Sequence, residues 1–200
     1  MGTTYSIKIA DKVSNDKIVS INRQVDSLLN YINMIASTYI SDSEIMTINN
    51  SLHLDTISIS NDMDLLLSTS NKYYNLSGGY YDVTVGPLVD IWGFGKDRNI
   101  IEIPSSKQID SVMLFVGSDK IEIFENKLIK KTNPKVKIDL SSIAKGYAVD
   151  RVADILLINQ LSNFMINIGG EITVRGYNYN KRWSIGLQNP IGPGIDRKKS

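Results

Sequence analysis

The feature that most constrains the fold is a change in apolar spacing near the start of the chain. Tyr5, Ile7 and Ile9 alternate with polar residues, which predicts a strand. Over residues 16 to 39 the spacing changes to three and four residues, which predicts an amphipathic helix. The chain therefore combines both kinds of regular structure from its beginning. The apolar positions of the helix are Ile18, Ile21, Val25, Leu28, Leu29, Ile32 and Ile35.

The same mixture continues along the chain. Ser14 or Asn15 is suited to cap the first helix, and residues 41 to 49 are polar and turn-rich. Strands joined by short turns, without a repeat or linker, favour one α+β domain with a mixed, largely antiparallel sheet packed with helices over a doubly wound fold. The remaining predicted elements are a helix from about Asp62 to Leu76 capped by Ser60 or Asn61, a shorter helix from Ser105 to Phe115, a hairpin of residues 120–124 and 127–131, a strand entering a helix that Ser141 or Ser142 caps, and strands at 164–168, 172–175 and 183–187.

Composition and charge exclude several classes of protein. Of the residues, 42% are hydrophobic, so the chain can bury a substantial core and general disorder is not expected. The 22 basic and 21 acidic residues nearly cancel, which argues against nucleic acid or anionic lipid as a partner and favours a small ligand or a protein. No cysteine occurs, which excludes disulfides, thiolate metal sites and cysteine nucleophiles. The longest apolar runs are far too short to cross a bilayer.

Both ends of the sequence suggest a cut through a larger fold. A strand pattern begins almost at once after Gly2, and no basic and apolar leader precedes Met1. At the other end, a strand pattern from Trp183 to Leu187 is followed by a Gly/Pro turn and then by charged residues. We therefore expect the chain to be part of a longer domain.

Three stretches have residues suited to binding a ligand, and the first is DLSSIAKGYAVD, residues 139 to 150. The free backbone N–H groups at the start of its helix suit an anion, and the small residues Ala144 and Gly146 let backbone approach a ligand. Alternatively, the serines only cap the helix, Lys145 is solvated and Gly146 relieves helix packing. The glycine spacing and the ending of a Walker loop are absent.

The second stretch is NIGGEI, residues 167 to 172. Its paired glycines fit a bulge or tight bend, or a place where backbone meets a ligand. Glu171 is a weak catalytic candidate because no partner carboxylate is visible. His53, the single histidine, lies in a polar segment, which predicts a surface position rather than catalysis.

The third stretch is YYDVTVGPLVDIWGFG, residues 80 to 95. It starts like a strand that contains Asp82 and Thr84, and Gly86-Pro87 then predicts a turn. Trp92 and Phe94 stand between glycines, where they either plug a gap in the core or offer a stacking face to a flat aromatic ligand.

Together, in order and spacing, these segments resemble the FAD:protein FMN transferases, the ApbE family. The resemblance covers essentially all of the chain and implies a T-fold-related α+β domain. It also implies FAD as substrate, Mg2+ as cofactor, and transfer of FMN through a phosphoester to Thr or Ser of a target protein, with release of AMP. The matching segments are MGTTY at 1–5, STYISDSEIMTIN at 37–49, YYDVTVGPLVDIWGFG at 80–95, IDLSSIAKGYAVDRVADIL at 138–156, INIGGEI at 166–172, and Trp183 to Pro190.

The resemblance also implies a set of site residues. In this set Ala144 offers its backbone carbonyl to Mg2+, and Trp92 and Phe94 only pack the turn that holds the flavin contacts. Lys145 is not assigned a direct contact, and Gly169 and Gly170 let backbone pass near the site. The implied flavin contacts are Met1, Tyr39, Tyr80, Tyr81, Asp82, Ser141 and Tyr147.

The chain departs from the family pattern after residue 172. Members of the family continue into a segment with a His-Ile/Leu-Ile-Asp-Pro type motif and a later Asp and Thr that supply the remaining metal ligands, and no such segment occurs before Ser200. The resemblance therefore implies a single incomplete domain over residues 1–200, without a catalytic residue of its own. Two alternatives stay open: an FAD-binding module or FAD pyrophosphatase that gives FMN and AMP, and a structural domain without flavin.

The resemblance has implications for partners and location as well. The acceptor of the flavin is expected to be a protein of a membrane redox complex. Many relatives are exported and held at the outer face of the cytoplasmic membrane by a lipidated N-terminal cysteine, and here that leader would precede Met1. The absence of cysteine from the body of the chain is compatible with export.

Overall fold

The computed structural model describes residues 2–95, 102–188 and 195–196. Its elements in chain order are β1 (Tyr5–Ile9), α1 (Asn15–Ala36), α2 (Glu44–Asn50), β2 (Ile57–Ser58), α3 (Asn61–Leu76), α4 (Gly86–Ile91), α5 (Ser106–Met113), β3 (Ile121–Phe124), β4 (Leu128–Lys131), α6 (Ala144–Ile158), β5 (Phe164–Ile168), β6 (Glu171–Arg175), β7 (Leu187–Gln188) and β8 (Ile195–Asp196). A short 3-10 helix, Ser118–Lys120, precedes β3.

The contacts divide the chain into two compact units. The central unit is Ser27–Tyr147, and the terminal unit combines Gly2–Asp26 with Ala148–Ser200. The prediction of one incomplete domain over the whole chain stays a prediction. No helix of the described part of the chain has the length and apolar character needed to span a membrane.

The terminal unit contains an antiparallel sheet of order β1-β5-β6. The register pairs Ile7 with Ile166, so alternate residues of β1 and β5 point to the same face. Phe164 and Ile166 on that face are almost fully buried. Further buried residues of this unit lie in the first part of α1 and in α6, among them Ile21, Val25, Val152 and Leu156.

The central unit contains a second antiparallel sheet, of order β2-β4-β3, and helices α2 to α5. Its core joins the end of α1 with α2, α3, β4 and the segment that leads to α6. The buried residues of this core include Ile35, Ile45, Ile48, Met63, Leu66, Leu67, Val83, Ile129, Ile138 and Leu140. The antiparallel sheets and interspersed helices confirm the predicted α+β class.

The long helices begin where their capping residues predict. The Ser14 hydroxyl accepts a hydrogen bond from the Lys17 amide at the start of α1. Ser60 does the same for Met63 at the start of α3, and Ser105 forms a capping box in front of α5. The predicted hairpin of β3 and β4 and the strands β5 and β6 are also confirmed.

Residues 41 to 49 contain a helix that was not predicted. Ser43 caps α2 by accepting a hydrogen bond from the Met46 amide, and Ile45 and Ile48 on one face of this helix are fully buried. A helix of two turns is too short to show a clear apolar period, and helices of this length depend on tertiary packing. The polar, turn-rich residues of this stretch therefore account for the cap at Ser43 but not for the helix that follows it.

The strand predicted for the start of residues 80 to 95 is wrong. Asp82 accepts a hydrogen bond from the Thr84 amide, and this local turn competes with extended pairing. Val85 makes one isolated parallel bridge with Lys137. Among the described residues this bridge is also the only strand pairing in the segment just before residue 139, where the sequence predicts a strand that leads into α6. Gly86-Pro87 then begins α4, where proline is compatible with the first turn.

Two further predicted boundaries differ from the structure. Helix α6 begins at Ala144, and the Ser141 amide donates to the Asp139 carboxylate, so the two serines lie in the turn before the helix rather than at its cap. Of the strand predicted for 183–187, only Leu187 is in a strand, where β7 pairs with β8.

Asp11 ties the loop after β1 to the loop before β5 within the terminal unit. Its Oδ2 accepts from the backbone amides of Ser162 and Asn163 at 2.7 and 2.8 Å, and its Oδ1 accepts from the Asn163 side chain at 2.6 Å. Partial desolvation raises the pKa of Asp11, but the three hydrogen bonds from Asn163 and Ser162 outweigh it and lower the pKa below 3.8.

We expect Asp11→Ala to lower the free energy of unfolding by about 2 kcal/mol, because hydrogen bonds to a charged acceptor contribute about 1.5–3 kcal/mol. The folded-state pKa is depressed, so this stabilisation is present above pH 3.8 and is lost as the pH falls through the folded pKa. Urea unfolding of both proteins at several pH values measures the difference. Asp154→Ala, at an exposed position of α6, is the control. An equal loss in both variants would contradict the role of Asp11.

Gly86 lies against the backbone of Lys137. A Cβ at Gly86 would be 2.7 Å from the carbonyl oxygen and 2.8 Å from the Cβ of Lys137, distances that need backbone movement. Gly146 in α6 is the opposite case, since nothing lies within 4 Å of its added Cβ.

We expect Gly86→Ala to destabilise the protein by about 1–3 kcal/mol, as overpacking does. Gly146→Ala is expected to stabilise it by about 0.5–1 kcal/mol, because Gly146 lies within α6 and glycine loses more conformational freedom in a helix than alanine does. Urea denaturation of the two variants gives both values. A stable Gly86→Ala protein would show that residues 85–86 and 137 do not approach each other as the structure has them.

Candidate functional site

A groove of about 470 Å3 lies in the central unit. Its walls come from the end of α3, from Tyr81, and from the turn before α6. This volume is within the range of about 300–1,000 Å3 that is common for small-molecule sites. The residues that line the groove are Tyr73, Leu76, Ser77, Tyr81, Ser142 and Ile143.

Aromatic rings and hydroxyl groups give the groove its chemistry. The rings of Tyr73 and Tyr81 meet edge to face with centroids 6.1 Å apart. The hydroxyls of Tyr81 and Ser142 are 3.0 Å apart, and either can donate the hydrogen bond. The groove therefore combines apolar walls with a polar edge, which suits a flat aromatic ligand that carries hydrogen-bonding atoms on its rim.

The position of Tyr81 is set by the residues around it. The Tyr81 amide donates to the hydroxyl of Ser77 at 2.9 Å, and that hydroxyl donates to the Tyr74 carbonyl. Glycines 78 and 79 have φ of +63° and +87°, so they allow the sharp reversal between α3 and Tyr81. Of the implied flavin contacts that the structure describes, Tyr81 lines the groove and the others do not.

Asp82 is occupied by hydrogen bonds within the central unit. Its Oδ1 accepts from the amide and hydroxyl of Thr84, both at 2.7 Å, and from the hydroxyl of Ser118 at 3.2 Å. Its Oδ2 accepts from the Ser118 amide at 3.0 Å. The Thr84 hydroxyl in turn accepts from the Gly117 amide. Asp82 therefore fixes the turn that comes after Tyr81, and a direct flavin contact stays a prediction.

The other predicted tyrosine contacts have different surroundings. Tyr80 is 98% exposed, next to Tyr81 in sequence. The Tyr39 hydroxyl donates to the Phe94 carbonyl at 3.3 Å. The Tyr147 hydroxyl donates to Asp62, whose second oxygen accepts from Tyr31. None of these three tyrosines is among the described residues that line the groove.

Ser141 and Ala144 flank the two residues of their segment that line the groove, Ser142 and Ile143. Ser141 is exposed and its amide donates to Asp139. Ala144 is buried, and as the first residue of α6 it has its carbonyl in the helical hydrogen-bond ladder. The roles of both residues stay predictions, and Met1 lies outside the described residues.

The structure excludes one of the two alternatives for Trp92 and Phe94, a position in the core, and their packing on the turn stays a prediction. Phe94 is 72% exposed and Trp92 is 42% exposed, so neither ring fills the core. Their backbone closes the end of α4, where the Trp92 amide donates to Leu88 and the Phe94 amide donates to Val89. His53 is exposed, as predicted.

The paired glycines of the second stretch belong to the terminal unit and form the turn between β5 and β6. Gly169 has φ of +58°, and a Cβ there would lie 2.8 Å from the Thr3 side chain. The Gly169 amide donates to the carbonyl of Thr4. The close approach at Gly169 is therefore made to the N-terminal segment of the chain itself. Glu171 at the start of β6 is exposed and has an interaction partner.

The resemblance implies a magnesium ion, and the described residues can be compared with the needs of that metal. Mg2+ is bound by oxygen ligands that usually include carboxylates. Among residues 2–95 and 102–188, no group of three or more His, Cys, Asp or Glu side chains is placed to hold a metal ion. The Ala144 carbonyl alone does not form a site, so the described residues do not fit Mg2+ by themselves.

Sequence reasoning missed five of the six residues that line the groove. Tyr73 and Leu76 are three residues apart and so share a face of α3, and Ser77 comes next at the helix end. These spacings were visible in the sequence, but exposed apolar residues of a helix are also common without function. Ser142 and Ile143 stand directly between Ser141 and Ala144, which were predicted.

Comparison with known proteins points in the same direction. The sequence model of the ApbE family matches residues 1–199. The FAD:protein FMN transferase of Haemophilus influenzae is 37% identical over 200 residues, which cover 97% of this chain and 58% of that protein. The FAD:protein FMN transferase of Vibrio cholerae is 34% identical over 191 residues, which cover 95% of this chain and 57% of that protein.

Solved structures give the same fold. The flavin transferase ApbE from Vibrio cholerae superposes with a TM-score of 0.90 at 31% identity, over 99% of this chain and 64% of that one. The apbe protein from Thermotoga maritima superposes with a TM-score of 0.85 at 26% identity, over 97% of this chain and 62% of that one. The chain thus spans less than two thirds of the length of these relatives. The family match along nearly the whole sequence, together with the shared fold, shows that this chain belongs to the ApbE family.

Proposed function

We propose that this chain is the flavin-holding part of an FAD:protein FMN transferase. The observation that carries the proposal is the groove between the end of α3 and the turn before α6, with two tyrosine rings and a pair of hydroxyls at its edge. Relatives that share 34% and 37% of its residues are named FAD:protein FMN transferases.

In this proposal the groove holds the isoalloxazine ring. Tyr73 and Tyr81 provide apolar ring faces, and Leu76 and Ile143 exclude water from the ligand. The hydroxyls of Tyr81 and Ser142 are the groups available for the polar rim of the flavin, since the Ser77 hydroxyl already donates to the Tyr74 carbonyl. Tyr39, Tyr80, Ser141 and Tyr147 remain proposed contacts for other parts of FAD, together with Met1 and Asp82.

The proposed reaction moves FMN from FAD to a protein hydroxyl. The oxygen of an acceptor Thr or Ser attacks the phosphorus on the FMN side of the pyrophosphate, the bond from that phosphorus to the bridging oxygen breaks, and AMP leaves with that oxygen. The proton of the acceptor hydroxyl is released in the same exchange. In this chain the described residues bind and orient the flavin, and they include no group that we assign to proton transfer.

A flavin-binding module is the second candidate. It is favoured by one observation, the absence of a His, Cys, Asp or Glu cluster suited to a metal among the described residues. An FAD pyrophosphatase would use water in place of the acceptor hydroxyl.

We extend the proposal to partners and location on the basis of the resemblance alone. The acceptor is a protein of a membrane redox complex. The intact protein acts at the outer face of the cytoplasmic membrane or in the periplasm, held by a lipidated N-terminus, and its activity depends on Mg2+.

Flavin binding tests the groove directly. We expect FMN and FAD fluorescence to be quenched by the chain, and Tyr81→Leu to weaken binding about tenfold or more, because stacking on an aromatic ring contributes about 1–3 kcal/mol. Tyr81→Phe keeps the ring and is expected to lose less. Tyr177→Leu, at an exposed tyrosine of the terminal unit, is the control. Equal affinity in the wild type and in Tyr81→Leu would show that flavin does not bind in this groove.

Product analysis separates the candidate functions. The chain is incubated with FAD, Mg2+ and a threonine-containing acceptor protein, and both proteins and the nucleotides are examined by mass spectrometry. An acceptor heavier by the mass of bound FMN, with AMP in solution, supports the transferase. Free FMN and AMP without an adduct support the pyrophosphatase. We expect flavin binding without products, and that result supports the flavin-holding role alone.

A further inference from the structure

The motif STYISDSEIMTIN, residues 37 to 49, contains a second residue of interest besides the implied flavin contact Tyr39. Its last residue, Asn49, is 7% exposed, and its side-chain amide pairs with the backbone of Ile138. The Nδ2 group donates to the Ile138 carbonyl at 2.8 Å, and the Ile138 amide donates to Oδ1 at 2.8 Å. Asn49 therefore binds Ile138 in the way that a neighbouring strand would.

Lys131, at the end of β4, is buried and binds the backbone of Asn49. It is 2% exposed, and its ammonium donates to the carbonyl oxygens of Asn49, Pro134 and Val136 at 3.0, 3.1 and 3.2 Å. A lysine has three donor hydrogens, so all of them are used. Burial, and then the charge of Lys137, lower the pKa of Lys131.

The surroundings of Lys131 indicate that its ammonium group holds backbone carbonyl groups in place. No carboxylate of the described residues forms a salt bridge with it, and the nearby Lys137 pairs with Asp90 instead. A buried ammonium without a counter-ion is costly, and backbone carbonyls compensate this cost by accepting its hydrogens. In return the ammonium fixes three carbonyl groups relative to one another.

These contacts lead into the wall of the groove. On the other side of the segment, Val85 forms a bridge with Lys137, and the Asp139 amide donates to the Val83 carbonyl at 2.7 Å. The Leu140 carbonyl then accepts from the amides of Ile143 and Ala144. The segment from 134 to 139 is thus held on both sides just before the turn that carries Ser142.

We propose that Lys131 and Asn49 are positioning residues that hold Ser142 within hydrogen-bond reach of Tyr81 across the groove. Neither residue lines the groove, and both act through Ile138 and the turn after it. That this position matters for flavin rests on the function proposed above.

Amide hydrogen exchange tests the positioning without any ligand. In Lys131→Met we expect faster exchange for residues 138–143, while the amides of β1 and β5 in the terminal unit keep their wild-type rates. Lys130→Met changes the neighbouring position of β4 and is the control. Unchanged exchange at 138–143, or an equal increase in both units, would overturn the proposal.

A second variant covers the case in which Lys131→Met does not fold. Asn49→Asp keeps the size of the side chain and the backbone contact to Lys131, but it replaces the donor to the Ile138 carbonyl with an acceptor. We expect the same local increase in exchange at 138–143. A wild-type rate there would overturn the proposal as well.

Flavin titrations then test the route through Ser142. Lys131→Met is expected to weaken FMN binding about tenfold in the wild-type background and by less than about twofold in Ser142→Ala, because two changes that act through the same contact are not additive. A merely structural loss would be the same in both backgrounds and would overturn the positioning role in binding. If the wild type does not bind FMN, the proposed function fails, and the exchange measurements still decide whether Lys131 and Asn49 position the turn.

Discussion

Two hydrogen bonds between the Asn49 side chain and the Ile138 backbone join parts of the chain that are 89 residues apart. Both partners are buried, and a buried polar group left unpaired costs about 1–3 kcal/mol. The short helix α2 and the segment before α6 depend on this contact, because neither has enough local structure to be stable alone. The apolar side chains of Ile48 and Ile138 complete the contact, since both belong to the same core.

The parts of the fold that could be predicted from the sequence are those with local causes. Helices α1 and α3 have apolar residues at helical spacing and a serine cap, and the hairpin of β3 and β4 has alternating residues around a turn. Helix α2 has only seven residues, so its apolar residues do not repeat often enough to predict a helix. The stretch from Tyr80 predicts a strand because apolar and polar residues alternate after Tyr81. The side chain of Asp82, which binds its own backbone nearby, decides the conformation instead.

The candidate site was harder to predict because sequence does not show which polar groups the chain uses for itself. Asp82, Tyr39 and Tyr147 have the residue types of a ligand site, yet each forms hydrogen bonds with other parts of the central unit. Tyr81 and Ser142 bond to each other across a groove. The family resemblance implied contacts in the segments that contain these two residues. Which residue of a segment lines the groove depends on the turn geometry at Ser77 and Leu140, which spacing does not reveal.

The hydroxyl pair of Tyr81 and Ser142 has one more consequence. A phenol and an aliphatic hydroxyl can each donate or accept, so the direction of their hydrogen bond is not fixed by the protein. When Tyr81 donates to Ser142, the Ser142 hydroxyl is left to donate to a ligand, and in the opposite arrangement the Tyr81 hydroxyl is; both oxygens also keep lone pairs that can accept. The rim of the groove therefore adapts its polarity by rotating two O–H bonds. The pair therefore suits carbonyl oxygens and N–H groups alike.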